Sequence, residues 1–158
     1  MKVKVTPSKV HGNVKIPASK SMAHRALICA SLSDGTSLVS NVTNSKDIEA
    51  TVGCMKALGA IIKQIDETTY EVTGTNLFKQ EGNITCNANE SGSTLRFLIP
   101  LAACTNAKVK FLGQGRLLQR PMDVYANEFK KQNIEFNQSD KEIIVSGNLQ
   151  AKDYVVQG

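Results

Sequence analysis

Residues 18–25, with the sequence ASKSMAHR, carry side chains suited to binding a small anion. Lys20 and Arg25 lie five residues apart, with serines on both sides of the lysine. Lysine supplies a compact positive charge and arginine grips a phosphate or carboxylate through two hydrogen bonds. Because a helical stretch follows, backbone N–H groups at the helix start add to the predicted phosphate site. The alternative on spacing alone is a serine-capped helix with solvated cations, and we expect His24 to be structural.

Residues 89–96, NESGSTLR, repeat this arrangement with Gly92 at the centre. Glycine permits close approach of a ligand to the backbone, so a carboxylate or phosphate is expected to bind the amide groups at Gly92. The alternative is an ordinary helix cap by Ser91 or Ser93. For Arg96 we expect a structural ion pair rather than a ligand contact.

A third cluster, GQGRLLQRPM at residues 113–122, carries two arginines toward a predicted helix. Arg120 directly precedes Pro121, and proline is favoured at the first helical position. An arginine there adds positive charge to an anion already held by the first two clusters. The alternative is a flexible surface loop with solvated charges, which we expect for Arg116.

The segments that carry these clusters repeat along the chain. The sequence GNVKI at 12–16 is echoed by GNITC at 82–86, 70 residues later. Each opening leads into a Ser-rich turn, an apolar helix, a strand, a second helix and a hairpin. The pattern predicts an α/β (α+β) fold of two tandem βαβαββ units at 13–75 and 82–148, with the start of a truncated third unit at 150–158.

Periodicity and capping signals place the individual elements. Helices are predicted at 23–32, 45–59, 95–103 and 121–133. Besides the openings, strands are predicted at 36–42, 61–65, 70–73, 108–112, 134–137 and 142–145.

Composition favours a small anionic ligand over nucleic acid. Lys and Arg outnumber Asp and Glu by 19 to 14 among 158 residues, giving a net charge of +5. That excess is modest, and with 5% aromatic residues and no Trp the chain lacks the stacking platforms typical of single-stranded nucleic-acid binders. We therefore expect no nucleic-acid partner.

The cysteines and the apolar runs predict a cytoplasmic protein. The four cysteines form no CxxC pair, which indicates buried cytosolic thiols rather than a metal site. The start of the chain lacks the apolar core of a signal peptide, and the longest apolar run, 97–104, is too short to cross a bilayer. A soluble protein without membrane partners is expected.

Three motifs together resemble the N-terminal region of the 5-enolpyruvylshikimate-3-phosphate synthase family. They are PASKS at 17–21 with Arg25, ESGSTLR at 90–96 and QRPM at 119–122. The resemblance spans the whole chain and includes the βαβαββ unit, from which that family builds two similar domains with helices packed inside against the sheets. It implies that residues 1–12 belong to the second domain and that this chain is an N-terminal fragment.

The resemblance implies transfer of the enolpyruvyl group of phosphoenolpyruvate to the 5-hydroxyl of shikimate 3-phosphate with release of phosphate, a step toward chorismate and aromatic amino acids. Lys20 would be catalytic and touch both substrates, Ser21 and Arg25 would hold shikimate 3-phosphate, and Gly92 and Arg120 would bind phosphoenolpyruvate, where glyphosate competes. No metal or other cofactor is implied, and the enzyme is expected to be monomeric. The fragment is expected to be inactive alone, because the family's principal carboxylates lie in the other domain.

One departure from the family pattern concerns the second cluster. Where many members have Asn-x-Gly-Thr, this chain has Glu90-Ser91-Gly92-Ser93, and the carboxylate either weakens anion binding or points away, which leaves glyphosate sensitivity open. The alternatives are the related transferase that acts on UDP-N-acetylglucosamine, a non-catalytic phosphate-ligand-binding module, and an RNA-binding domain, the last disfavoured by composition.

Overall fold

Serine caps begin three of the four helices in the computed structural model, which describes residues 2–4, 6–9, 11–14 and 16–154. Ser19, Ser45 and Ser91 have extended backbone, and each accepts a hydrogen bond from the amide three residues ahead. These bonds satisfy N–H groups that a helix start leaves without partners. The helices are α1 (Lys20–Leu32), α2 (Lys46–Ala57), α3 (Gly92–Ala102) and α4 (Asp123–Lys130).

Seven strands form two small sheets within the described residues. The first sheet has the order β1-β3-β2 and is antiparallel, and the second has the order β4-β5-β7-β6 with β4 and β5 parallel. In the second half of the chain the elements follow the βαβαββ order. The strands are β1 (Thr36–Val39), β2 (Ile61–Gln64), β3 (Tyr70–Thr73), β4 (Glu81–Asn87), β5 (Asn106–Leu112), β6 (Glu135–Gln138) and β7 (Ile143–Ser146).

The strand predicted at 12–16 is wrong for the residues that the structure describes there. Residues 11–14 and 16 form no strand, Lys15 lies outside the described residues, and Val14 and Ile16 are 85% and 82% exposed. The corresponding opening strand of the second half, β4, pairs along its whole length with β5. Among the described residues β1 has no such neighbour on its outer edge, and without ladder hydrogen bonds the alternating sequence does not define a strand.

The helix predicted at 121–133 is shorter than expected. It begins at Asp123, and Pro121 lies outside it. The side-chain amide of Gln138 donates to the backbone carbonyl of Arg120 at 2.9 Å and holds this segment extended. The sequence signal of a proline-started helix was misleading because a contact from a distant strand fixes the chain here.

The helices pack against one another and against the sheets. Helix α1 contacts α2, β1 and β3, helix α2 also contacts α3 and β4, and α3 contacts β5 and β7. The helix predicted between Ser45 and Gly59 is confirmed as α2. Apolar side chains from both halves form one core, whose fully buried members include Leu27, Ile48, Met55, Leu95, Leu98 and Phe111.

Candidate anion-binding site

Lys20 is the first residue of α1 and faces the first turn of α2. Its Nζ donates to Asp47 Oδ2 at 2.5 Å, and the two side chains are 55% and 31% exposed. Asp47 lies where the helix dipole favours negative charge. The lysine therefore reaches solvent while being held at the junction of the two helix starts.

Arg25 links α1 to α3. Its Nη1 donates to the carbonyl of Ser21 at 2.8 Å, and its guanidinium lies 4.9 Å from the centre of the Phe97 ring. Both interactions leave part of the fork unoccupied, since an arginine has five N–H donors. Ser21 itself is exposed.

Gly92 is the first residue of α3, and the side chain of Arg120 lies directly against it. A Cβ built on Gly92 would overlap Nη1 of Arg120, so the guanidinium would have to move if residue 92 carried a side chain. Ser91 caps the same helix by accepting from the amide of Thr94 at 3.2 Å. An arginine and a helix N-terminus therefore meet at one point, which is a favourable arrangement for binding an anion.

A cavity of about 410 Å³ lies at this point. Of the predicted site residues, Gly92 and Arg120 line it directly, while Lys20 and Arg25 contact lining residues. Ser21 does not line the cavity, and its backbone carbonyl accepts a hydrogen bond from Arg25. The lining residues are Asp47, Glu90, Gly92, Ser93, Arg96, Phe97 and Arg120.

Sequence reasoning missed two charged residues of this cavity. Asp47 belongs to none of the three sequence clusters, and its position beside Lys20 depends on the packing of two helices. Arg96 was expected in a structural ion pair, but it takes part in none of the ion pairs found among the described residues. Its position one turn along α3 from Gly92 is the signal that could have identified it.

Glu90 lies at the margin of the cavity. A Cβ on Gly115 would be 2.8 Å from Glu90 Oε1, so the carboxylate is directed toward the loop that precedes Arg116. The amide of Gln114 donates to the carbonyl of Asn89 at 2.6 Å and holds this loop against the second cluster. The carboxylate therefore borders the anion site.

A second cavity, of about 340 Å³, lies elsewhere. Leu32, Leu77, Phe78 and Leu101 are among its lining residues, and none of the described residues that line it is a Lys or Arg. Its apolar lining makes it a poor site for a phosphorylated ligand. Through the described ranges, no group of three or more His, Cys, Asp or Glu side chains is arranged to hold a metal ion, and none of the helices there is long and apolar enough to cross a membrane.

The α/β fold brings the starts of three helices together beside one cavity, an arrangement that favours anion binding. A family model described as EPSP synthase (3-phosphoshikimate 1-carboxyvinyltransferase) matches residues 4–156. The chain belongs to the EPSP synthase family.

Similar proteins agree with this assignment. The chain is 45% identical over 159 residues to the 3-phosphoshikimate 1-carboxyvinyltransferase of Clostridium perfringens (strain SM101 / Type A), covering 99% of this chain and 37% of that protein. It is 43% identical over 169 residues to the protein of the same name from Clostridioides difficile (strain 630), covering 99% and 38%. The chain thus spans little more than a third of the length of the curated relatives it matches.

A solved structure supports the fold class. The EPSP synthase from Acinetobacter baumannii superposes with a TM-score of 0.77 at 18% identity, covering 90% of this chain and 33% of that one. At this identity the likeness concerns the fold alone, and it confirms the predicted mixed α/β architecture of the enolpyruvyl transferases.

Proposed function

We propose that this chain forms part of an enzyme that transfers the enolpyruvyl group of phosphoenolpyruvate to the 5-hydroxyl of shikimate 3-phosphate and releases phosphate. Membership of the EPSP synthase family supports the reaction class. The observation that carries the proposal is the contact of Arg120 with Gly92 at the start of α3, beside a cavity that Lys20 and Arg25 approach from α1.

Phosphoenolpyruvate is assigned to Gly92, Arg120 and Lys20. The α3 N-terminus offers free amide groups to a carboxylate or phosphate, and the Arg120 guanidinium lies against them. Lys20 adds a mobile positive charge once its bond to Asp47 opens. Glyphosate is expected to compete for the same residues, with Glu90 at the margin lowering the affinity of both anions.

Shikimate 3-phosphate is assigned to Lys20, Ser21 and Arg25. The free donors of Arg25 and the exposed hydroxyl of Ser21 lie on the first turns of α1, where the helix dipole favours a phosphate. Lys20 adjoins Ser21 on α1 and contacts Asp47, which lines the same cavity as Gly92. We infer that it touches both substrates.

The chemistry explains the excess of cations. Both substrates carry several negative charges, and bringing them together costs Coulomb energy that Lys20, Arg25 and Arg120 offset. In the reaction the 5-hydroxyl gives up its proton as its oxygen bonds to the central carbon of phosphoenolpyruvate, and the methylene carbon gains a proton to become a methyl group. Loss of a proton from this methyl group then re-forms the double bond as the bond to phosphate breaks. Lys20 is the proposed acid-base group of this chain.

The chain by itself is proposed to bind substrates without turning them over. It covers about 37% of the relatives, and the acid-base carboxylates are assigned to the remainder of the protein. On this view the isolated chain acts as a phosphate-ligand-binding module. We further propose that the enzyme is cytoplasmic and monomeric and binds neither nucleic acid nor membranes.

The unit boundaries are also part of the proposal. Residues 1–12 are assigned to the second domain, 13–75 and 82–148 to the two units, and 150–158 to a third unit, of which 155–158 lie outside the described residues. Val14 and Ile16 are exposed, which supports a packing partner for the start of the first unit beyond the two described sheets.

Titrations of the chain with each substrate, followed by NMR, test the proposal. Lys20→Ala is expected to lower the affinity for both substrates about tenfold. Arg25→Ala should lower mainly the affinity for shikimate 3-phosphate, and Arg120→Ala mainly the affinity for phosphoenolpyruvate. Lys56→Ala and Arg116→Ala are controls of matched charge. Unchanged spectra of the parent chain at millimolar ligand would contradict the binding site. Tighter binding of UDP-N-acetylglucosamine than of shikimate 3-phosphate would favour the related transferase.

A further inference from the structure

A row of four buried polar side chains lies beneath the candidate site. His24 Nδ1 is 2.7 Å from Thr51 Oγ1, which is 2.7 Å from Thr94 Oγ1, which in turn donates to Ser91 Oγ at 2.7 Å. Their exposed fractions range from 0% to 2%. The row crosses from α1 through α2 to the N-cap of α3, and we call it the His24 row.

Each member of the His24 row is adjacent to a proposed site residue. His24 lies one helical turn after Lys20, and Thr51 lies one turn after Asp47, the residue that holds Lys20. Ser91 and Thr94 flank Gly92 on α3. The hydroxyls of Thr51 and Thr94 also both lie 3.3 Å from the backbone carbonyl of Asp47. The row therefore joins the Lys20 side of the cavity to the Gly92 side.

Burial determines which nitrogen of His24 carries the proton. Each hydroxyl has a single proton, which Thr51 and Thr94 can give to a neighbour in the row or to the carbonyl of Asp47. Nε2 of His24 is buried and has no hydrogen-bond partner among the described residues. A bare acceptor is tolerated there more readily than an orphaned N–H group. His24 therefore holds its proton on Nδ1 and donates to Thr51, while the hydroxyl of Thr94 donates to Ser91.

A purely structural role accounts poorly for this row. Apolar side chains of the same shape at every position of the row would fill the same volume without an unpartnered nitrogen, and replacing both partners of a hydrogen bond in this way can be nearly neutral for stability. What hydrogen bonds add is a fixed distance and orientation between the three helix starts. That spacing matters where two anions must be held side by side.

We propose that His24 is a positioning residue of the phosphoenolpyruvate site, acting through Thr51, Thr94 and Ser91 on the start of α3. It sets the position of the Gly92 amide groups relative to Lys20. The inference rests on the proposed function, because it assigns the row to the site that binds phosphoenolpyruvate. His24 itself touches no substrate.

The first test reads the imidazole nitrogens of the unaltered chain by NMR. The chain has two histidines, and the exposed His11 serves as an internal control. His24 is expected to carry its proton on Nδ1, and saturation with phosphoenolpyruvate is expected to shift the His24 signals and leave those of His11 in place. His24 signals that do not move at saturation would overturn the proposal.

The second test uses variants. Thr51→Val and His24→Leu remove the hydrogen bonds, and each leaves a buried partner unsatisfied, which is expected to lower the melting temperature. In the folded variants we expect the affinity for phosphoenolpyruvate to fall about tenfold. His24→Asn keeps an amide donor near the position of Nδ1 and is expected to restore binding to within about twofold. Parental affinity in folded Thr51→Val and His24→Leu would overturn the inference.

The Lys20→Ala variant distinguishes a failure of the positioning role of His24 from a failure of the proposed function. If Lys20→Ala loses affinity while Thr51→Val does not, the site stands and the row has only a structural role. If the parent chain binds no phosphoenolpyruvate, the proposed function fails and the inference fails with it.

Discussion

The guanidinium of Arg120 occupies the space where any side chain at position 92 would begin. Gly92 opens α3, and a Cβ there would overlap Arg120 Nη1. The two residues are far apart in sequence, yet a side chain at position 92 would force the Arg120 guanidinium to move. The glycine keeps the helix start open, and the arginine supplies charge to it.

Gly92→Ala is therefore expected to displace Arg120 and weaken phosphoenolpyruvate about tenfold, with shikimate 3-phosphate affected less than twofold. Calorimetric titration of both ligands measures the difference. Gly53→Ala is the matched control, because Gly53 lies inside α2 and a Cβ there meets nothing within 4 Å. That change should leave binding intact and stabilise the chain by about 0.5–1 kcal/mol. Equal losses for both ligands in Gly92→Ala would contradict the assignment.

Asp47→Asn is expected to raise the affinity of the chain for inorganic phosphate several-fold. The substitution keeps the shape of the side chain but removes the negative charge that holds Lys20 Nζ at 2.5 Å. Both side chains are partly exposed, so the cost to stability should stay below about 1 kcal/mol. Phosphate titrations at low and moderate salt measure the effect. Glu49→Gln, in the same first turn of α2, is the control. An equal gain in phosphate affinity for this variant would show that the effect comes from the change in net charge and not from the release of Lys20.

Tyr125→Phe is expected to destabilise the chain by about 1 kcal/mol. Pro100 lies inside α3 and has no N–H to donate to the carbonyl of Arg96, which instead accepts from the Tyr125 hydroxyl at 3.0 Å. Urea unfolding of Tyr125→Phe, Pro100→Ala and the double variant tests this account. In the Pro100→Ala background the amide of residue 100 can satisfy Arg96, so the tyrosine hydroxyl should matter less. Additive effects would contradict the link.

The stability of the chain is expected to fall below about pH 6.5 because of His24. Burial lowers the pKa of His24, the carboxylate of Asp47 raises it by less, and Lys20 and Arg25 lower it. Above about pH 6.5 both folded and unfolded imidazoles are neutral and the stability is complete. Below it the unfolded chain takes up a proton that the folded chain does not, until the pH reaches the lowered folded pKa.

The free energy of unfolding from about pH 5 to about pH 8 measures this effect. His24→Asn cannot titrate and should flatten the part of the curve that His24 contributes. The carboxylates titrate mainly at lower pH and provide the common background. Identical curves for the parent and His24→Asn would show that His24 titrates alike in both states.

Much of the fold could be predicted from local signals. Serine caps and apolar stripes predicted α1, α2 and α3, and the short strand at Tyr70–Thr73 was found with the same bounds. The prediction of a strand at 12–16 is wrong because a strand requires a neighbouring strand, which the local sequence does not supply. The start of α4 failed because the side chain of Gln138, remote in sequence, holds the chain before it.

The sequence by itself determined the residue types that could bind an anion and the helix starts that carry them. The charged, hydroxyl and glycine residues can be read directly from short motifs, and helix capping depends on only a few neighbouring residues. The tertiary structure decided which of these meet: Gly92 against Arg120, Lys20 against Asp47, and Arg96 in the cavity rather than in an ion pair. It also assembled the His24 row, because hydrogen bonds between separate helices depend on how the core packs them together.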